Sequence, residues 1–421
     1  MKERFLIAIF LVFSVFSFYI LFSENGQTSS VLTIRTTESG GRVQTDYVDH
    51  QGRIIFAYDK GYASVVKSYN DLGQNDVITY LDAEGNEAKL SAGYSSIHRT
   101  YNGDGKADTD TYYYLGEQAS HRDGYYGYKR TYENGRISLI SYLDKTGDLT
   151  SCKKGYAMIE RTYNSAGKLE YEFYLDTSGQ PAKGLLGQYG VYREYDENGT
   201  TIVTTYLDAQ GNPLNTTKGY ATVRREGDKR RYYDSEGNPA TAGRFQYGYE
   251  TIDGRTVYLN EDGEPVFRLD NFLLTHPLFV MVCGILMTGV ACLVQGKART
   301  GFLILYVLFI LMMTLWYRES GESTGRFDLF WSYRRFFMHP GTRRQILENI
   351  WLFIPFGAVL YKKRSRRWLI PLALSICIEA TQYFAGIGLC ECDDVVSNSL
   401  GGVIGYMTAC AVDWSFIRPD G

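Results

Sequence analysis

A block starting at Gly61, "GYASVVKSYNDLGQ", returns at almost constant spacing down the chain. Related blocks start at Gly93, Gly124, Gly155, Gly187 and Gly219, giving steps of 32, 31, 31, 32 and 32 residues. A second block, "YLDAEGNEA" at Tyr80, recurs between them at Tyr142, Tyr174, Tyr206, Tyr232 and Tyr258. It has an opening copy at Tyr47 and a degenerate one, "YYLGEQASH", at Tyr113. A fixed period of this size marks a repeat array, in which each unit buries too little alone and must stack on its neighbours. Alternation in "TIVTTYLD" reads as a strand, and "DAQGN" or "DENG" supplies the Asp, Asn and Gly of a tight turn. Residues 31–268 are therefore expected to form an elongated all-β array of stacked hairpins with a period of about 32.

That segment holds 29 of the 36 tyrosines. A Tyr ring packs between strands while its hydroxyl reaches water, so the tyrosines serve either as stacking core or as a surface for wall sugars and peptides. The blocks superficially resemble the short aromatic repeats of choline- and glucan-binding wall modules, but the period differs and the Trp usual there is missing. The histidines of the array, His50, His98 and His121, are scattered, and no nucleophile is paired with a base. One cysteine, Cys152, falls in this half, so no internal disulfide is available to it.

The rest of the chain is different. "MKERFLIAIFLVFSVFSFYILFSENG" has a basic start and 18 uncharged residues from Phe5 to Phe22, without small residues placed for cleavage, and reads as a retained signal anchor over residues 1–23. Further apolar runs lie near 277–294, 301–317, 347–361, 368–388 and 398–413, against the roughly 20 residues a span needs. The 347–361 run is short enough to be tilted, re-entrant or incomplete. Lys and Arg gather on the cytoplasmic side, so "MKER", "QGKARTG" (295–301) and "KKRSRR" (362–367) point to about six spans with both termini inside. The array would then be extracellular, and residues 413–421 a cytoplasmic tail. Arg334, Arg335, Arg343 and Arg344 conflict with this by falling outside, unless "RFDLFWSYRRFF" lies on the outer leaflet. The formal net charge is -3 and no aromatic-basic patch stands out, so no nucleic-acid partner is expected.

Within the apolar half, Ser375, Glu379 and Gln382 stand at i, i+4 and i+7, on one helical face. An ionisable group inside a span marks a functional site by default. Asp393 and Asp394 follow at the outer level, with Asn398 four residues after Asp394. Glu348 and Asn349 precede the 347–361 run, and Arg318 ends the 301–317 run at that same level. The alternative is that these groups only bind one another, which rewards the helices weakly, by about 0.6 kcal/mol per interhelical hydrogen bond. "CEC" beside the two Asp could suggest a metal, but a closed zinc site needs four well-placed ligands and His339 is the one histidine in the outer loops. No metal, cofactor or catalytic residue is assigned, and the reading leans away from an enzyme. An intramembrane enzyme with Glu379 as acid or base, and a wall-binding or adhesion protein with a membrane anchor, stay as alternatives.

"ENIWLFIPFGAVLY", then Ser375, Glu379 and Gln382, then "DDVVSNSLGGVIGY" together resemble the VanZ-like family of membrane proteins over about residues 301–412, within a multi-span domain at 277–412. Carried over position by position, the resemblance implies functional roles for Arg318, Asn349, Glu379, Gln382, Asp394 and Asn398, to which Asp393 is added from its neighbourhood. It implies structural roles for Pro355, Gly357, Gly401 and Gly405. Many members carry a basic residue shortly before the Asp pair, where this chain has "GLCECDD". The family is named for a glycopeptide-resistance accessory protein, so a plasma-membrane location and a link to teicoplanin resistance are implied. Membrane lipid is the expected partner, with a wall precursor or polymer and the glycopeptide itself as further candidates.

Overall fold

The structure is a computed structural model and describes residues 2–23, 33–57, 60–242, 246–252, 255–318, 324–334, 336, 340–363 and 365–413. Arg335, His339 and most of the 413–421 tail lie outside the described residues. The chain divides into two compact units, one of residues 31–241 and one combining residues 1–30 with 242–421.

The first unit is an antiparallel meander. In the hairpin of Met158–Tyr163 and Leu169–Leu175, Met158 faces Leu175 and Arg161 faces Glu172. The next hairpin, Gly190–Tyr195 with Thr201–Leu207, joins it through Tyr171 facing Tyr192 and Phe173 facing Gly190. The same alternation runs from Thr33–Ser39 to Lys229–Tyr233. Most of the longer turns are held by a leading Asp or Asn. Asp176 Oδ1 accepts from the amides of Ser178 (2.7 Å) and Gln180 (2.9 Å), while Gly179 supplies the left-handed residue at φ +77°.

Two tyrosine series bind the repeats together. In the first, rings pair closely: Tyr94 stacks on Tyr112 at 4.2 Å and Tyr156 on Tyr174 at 4.4 Å, and Tyr125 meets Tyr142 at a tilt at 4.4 Å. Tyr112 and Tyr142 also reach the next pair, each with ring centroids 6.0 Å apart. In the second, a register shift in each "RTY"-type strand turns the following Tyr toward the preceding repeat. The hydroxyls of Tyr101, Tyr132, Tyr163 and Tyr195 thus donate to the carbonyls of Asn75, Ala107, Ile137 and Leu169 at 2.6–2.8 Å. Asp110 is buried between Arg99 and Arg130, and Glu172 accepts from Arg161 and Arg193. Burial pushes the Asp110 carboxyl up, but its hydrogen bonds to the two guanidinium groups outweigh this and hold it below the usual range.

The second unit is helical: α1 (Lys2–Ser23), α2 (Leu269–Thr275), α3 (Pro277–Leu293), α4 (Gly296–Leu311), α5 (Trp331–Arg334), α6 (Pro340–Leu360), α7 (Ile370–Ala385) and α8 (Cys392–Val412). The hairpin of Gly248–Ile252 and Arg255–Leu259, last of the repeat series, falls in this unit and leads into α2. Among the described residues, three helical stretches are long and apolar enough to cross a membrane: Gly296–Trp316, Arg367–Ala385 and Cys392–Val412; Ile7–Leu21 and Pro277–Leu293 are shorter apolar helices.

The short 347–361 run is the second half of a 21-residue helix, α6, whose first half is polar. α6 is also the centre of the unit. Trp351, Phe353, Ile354 and Phe356 are buried on it, and α1 packs Phe13 against Trp351 at 5.5 Å. α6 and α8 cross in very close approach. A Cβ on Gly357 would overlap the Gly402 carbonyl, one on Gly401 the Ile350 carbonyl, and one on Gly405 the Ile354 carbonyl. Pro355 lies inside α6, where it removes the amide that would bond the Trp351 carbonyl.

Candidate functional site

The end of α4, the start of α6, the end of α7 and the start of α8 meet at one end of the helical unit. The chain leaves α4 through a π-helical turn, Met312–Trp316. Such turns leave backbone groups outside the regular ladder, and the Thr314 carbonyl there accepts from Gln382 Nε2 at 2.9 Å. Glu379 is buried on α7 and accepts the Glu391 amide at 2.8 Å. Asn398 donates to Ser375 Oγ at 2.9 Å, and its buried Oδ1 has no partner among the described residues.

The adjacent aspartates separate in role. Asp393 is fully buried and accepts the amides of Phe330 (2.5 Å) and Ser332 (2.8 Å) and the Ser332 hydroxyl (2.6 Å). It therefore fixes the segment that carries α5. Residues Thr324–Arg326 pair in parallel with Leu389–Glu391, and Tyr333 bonds Ser397 at 2.8 Å. Phe327, Leu329 and Phe330 of this segment remain exposed, as an interfacial stretch would leave them. Glu391 accepts from Gln345 at 3.1 Å and lies 3.8 Å from Arg326. Burial nevertheless pushes its carboxyl up.

Asp394 instead lines a cavity of about 1150 Å³, together with Arg318, Glu348 and Asn349. Neither the Arg318 nor the Asp394 side chain hydrogen-bonds a described residue, and Asn349 Nδ2 is buried without a described partner. Arg318 attracts Glu379, Glu391 and Asp394. Below this polar end the walls are apolar, from α3, α4 and α6. Of the seven residues singled out from sequence, Arg318, Asn349 and Asp394 thus face one space. Glu379, Gln382, Asp393 and Asn398 each hydrogen-bond the scaffold around it. Among the described residues no three His, Cys, Asp or Glu side chains gather as a metal site.

Four contributors were not singled out as site residues from sequence. Arg268 is buried, bonds Asp270 at 2.7 Å and the Tyr317 carbonyl at 3.2 Å, and stacks 4.0 Å from the Tyr258 ring centroid. All four residues line the same cavity. Arg268 and Asp270 follow the last repeat, where only a charge pair two residues apart hinted at them.

Residues 301–413 match the family model described as VanZ/LLP1. A curated relative, Protein VanZ of Enterococcus faecium, is 32% identical over 74 residues, which is 16% of this chain and 46% of that protein. Residues 301–413 form a VanZ-like domain. The match spans under half of that relative's length, and the array, α1 and α3 lie outside the matched residues. The VanZ-like domain holds Arg318, Asn349 and Asp394, whereas Tyr258, Arg268 and Asp270 reach its cavity from upstream. Among solved structures, TcdB2-TccC3-TEV aligns with 58% of this chain and 14% of its own, at 13% identity and a TM-score of 0.23. The modular autolysin LytC of Streptococcus pneumoniae aligns with 55% of this chain and 52% of its own, at 15% identity and a TM-score of 0.10. Neither likeness is close enough to assign a fold.

Proposed function

We propose that this chain is a multi-pass plasma-membrane protein that binds an amphiphilic envelope component in the cavity of its VanZ-like domain, and that this binding underlies a link to glycopeptide resistance. The observation that carries the reading is the cavity itself, apolar along its length and closed at one end by Arg318, Asn349 and Asp394. Apolar walls with a few convergent polar groups are what a ligand with a headgroup requires. The lysines support the orientation, although Arg318, Arg334, Arg343 and Arg344 stand at the polar end. Lys297, Lys362, Lys363 and Arg367 stand at the opposite end of the helices from this cluster, so the positive-inside rule puts the cavity's polar end at the outer face. Six helices, α1, α3, α4, α6, α7 and α8, would then cross, with the repeat array outside.

The array is read as a spacer whose tyrosines are structural, because its ring pairs and hydroxyl bonds are spent between repeats. The test is teicoplanin susceptibility in a sensitive host expressing wild type, Asp394→Asn, Arg318→Gln, or a chain lacking residues 33–241, at matched membrane levels. Protection by wild type and by the deletion, lost in the two point variants, is expected. Absence of protection by wild type would end the resistance link, and protection lost only in the deletion would move the function to the array.

A further inference from the structure

α3 and α4 are joined at Val294–Gln295, yet they scarcely touch. Each packs on α6, and the gap between them is the cavity. Its walls are Cys283 and Met287 on α3 and Leu305 and Phe309 on α4, with Leu352 of α6 behind. Met287 is 39% exposed and Leu305 70%, so the gap opens sideways, through the apolar flank of the unit. A slot of about 1150 Å³ exceeds the ~300–1,000 Å³ of ordinary small-molecule sites and suits an acyl chain entering from a bilayer.

The polar end decides which lipid. It carries Arg268, Arg318 and Arg344 against Asp270, Glu348 and Asp394, so both signs are present in equal number. An anionic headgroup satisfying Arg318 would face Asp394 with a second negative charge and nothing to neutralise it. A headgroup with a phosphate and an ammonium matches both side chains, and these are the two that hydrogen-bond no described residue. A quaternary ammonium would call for open aromatic faces. Here Arg268 already covers Tyr258 and Tyr317, at 4.0 and 5.3 Å. A primary amine, which donates hydrogen bonds to a carboxylate, fits instead.

We infer that the α3–α4 gap is a lateral slot for one zwitterionic phospholipid with a primary-amine headgroup, its phosphate on Arg318 and its amine on Asp394. This rests on the reading of the cavity as the ligand site, but it is tested without any resistance assay. Purified full-length protein is delipidated and given phosphatidylethanolamine, phosphatidylglycerol or phosphatidylcholine with identical acyl chains. Bound lipid is then read by native mass spectrometry. One phosphatidylethanolamine is expected on the wild type, held at least about tenfold more tightly than the other two. Arg318→Gln and Asp394→Asn should erase that preference. Met287→Trp and Leu305→Trp, which fill the slot from opposite walls, should each lose the lipid while keeping the wild-type melting profile. Equal retention of phosphatidylglycerol would overturn the headgroup assignment, and undiminished lipid on both folded Trp variants would overturn the slot. Selective lipid binding without glycopeptide protection would leave this inference standing and remove the resistance link. Protection with no bound lipid would do the reverse.

Discussion

Gly405 shows how much a single missing methyl can matter. A Cβ there would overlap the Ile354 carbonyl, which is backbone and cannot swing aside. Gly405→Ala should therefore force α6 and α8 apart, at about 1–3 kcal/mol, the range of overpacked cores. Gly289 on α3 has nothing within 4 Å of the same position, so Gly289→Ala should leave stability unchanged or raise it by up to ~1 kcal/mol. Thermal unfolding of the two variants in one detergent decides it. Equal melting would mean that the crossing is looser than the glycines imply. The motif order in the sequence pointed to Arg318, Asn349 and Asp394, all of which line the cavity. It could not separate Asp393 from Asp394, because neighbours on a helix point about 100° apart and only the fold decides which faces the cavity. Arg268 was illegible for another reason. Its role depends on bonding a carbonyl 49 residues away, and no local pattern records that.

At the level of elements, the repeat hairpins were legible because strand alternation and Asp/Asn–Gly turns are local signals. The π-helical turn Met312–Trp316 was not, since nothing in its composition departs from an ordinary helix. Nor did sequence show that the buried carboxylates recur in alternate repeats, at Asp46, Asp110 and Glu172. Asp110→Asn leaves Arg99 and Arg130 facing a neutral amide, with Arg130 8% exposed. Breaking a buried pair costs about 3–5 kcal/mol, whereas Asp262→Asn on an exposed turn should stay within ~0.5 kcal/mol. Urea midpoints followed by the β-sheet circular dichroism signal would separate the two, and a small effect at Asp110 would show that the arginines find other partners. The tyrosine ladder makes a further prediction. Burial pushes Tyr94 up to about 12 and raises Tyr112, Tyr125, Tyr142 and Tyr156 as well. Because the folded values exceed the unfolded value of about 10, the stability linked to these groups is complete below pH ~10 and falls as pH rises beyond it. Phenolate absorbance should thus climb together with loss of sheet signal, in one step. Gradual ionisation near pH 10 with the sheet intact would show that the ladder is open to solvent.

For the whole molecule, the proposed membrane arrangement makes a prediction about which parts face which side, and it rests on charge placement. Arg299 donates to the carbonyls of Val359 and Tyr361, and Tyr406 bonds the Lys362 carbonyl at 2.8 Å. The basic loop is therefore anchored at the end of the helices opposite Asp394. With Lys and Arg retained inside, the "KKRSRR" loop should be cytoplasmic and the turns of the array extracellular. Single-cysteine reporters test this in the intact protein. Ser178 sits on an exposed turn of the array, and Lys363 on the basic loop. In a background with the seven native cysteines replaced by Ser or Ala, Ser178→Cys should react with a membrane-impermeant maleimide in whole cells. Lys363→Cys should react only after the cells are opened. The aromatic segment supplies a third point, because Leu329→Cys at the polar end should react from outside alongside Ser178→Cys. Labelling of Lys363→Cys in intact cells, with Ser178→Cys protected, would invert the orientation and place the cavity's polar end in the inner leaflet. Labelling of Ser178→Cys and Lys363→Cys from the same side would require an even number of crossings between them. α3, α4, α6 and the stretch before Lys363 would then contain one helix that turns back, and α6, half polar along its length, is the helix that would have to do so.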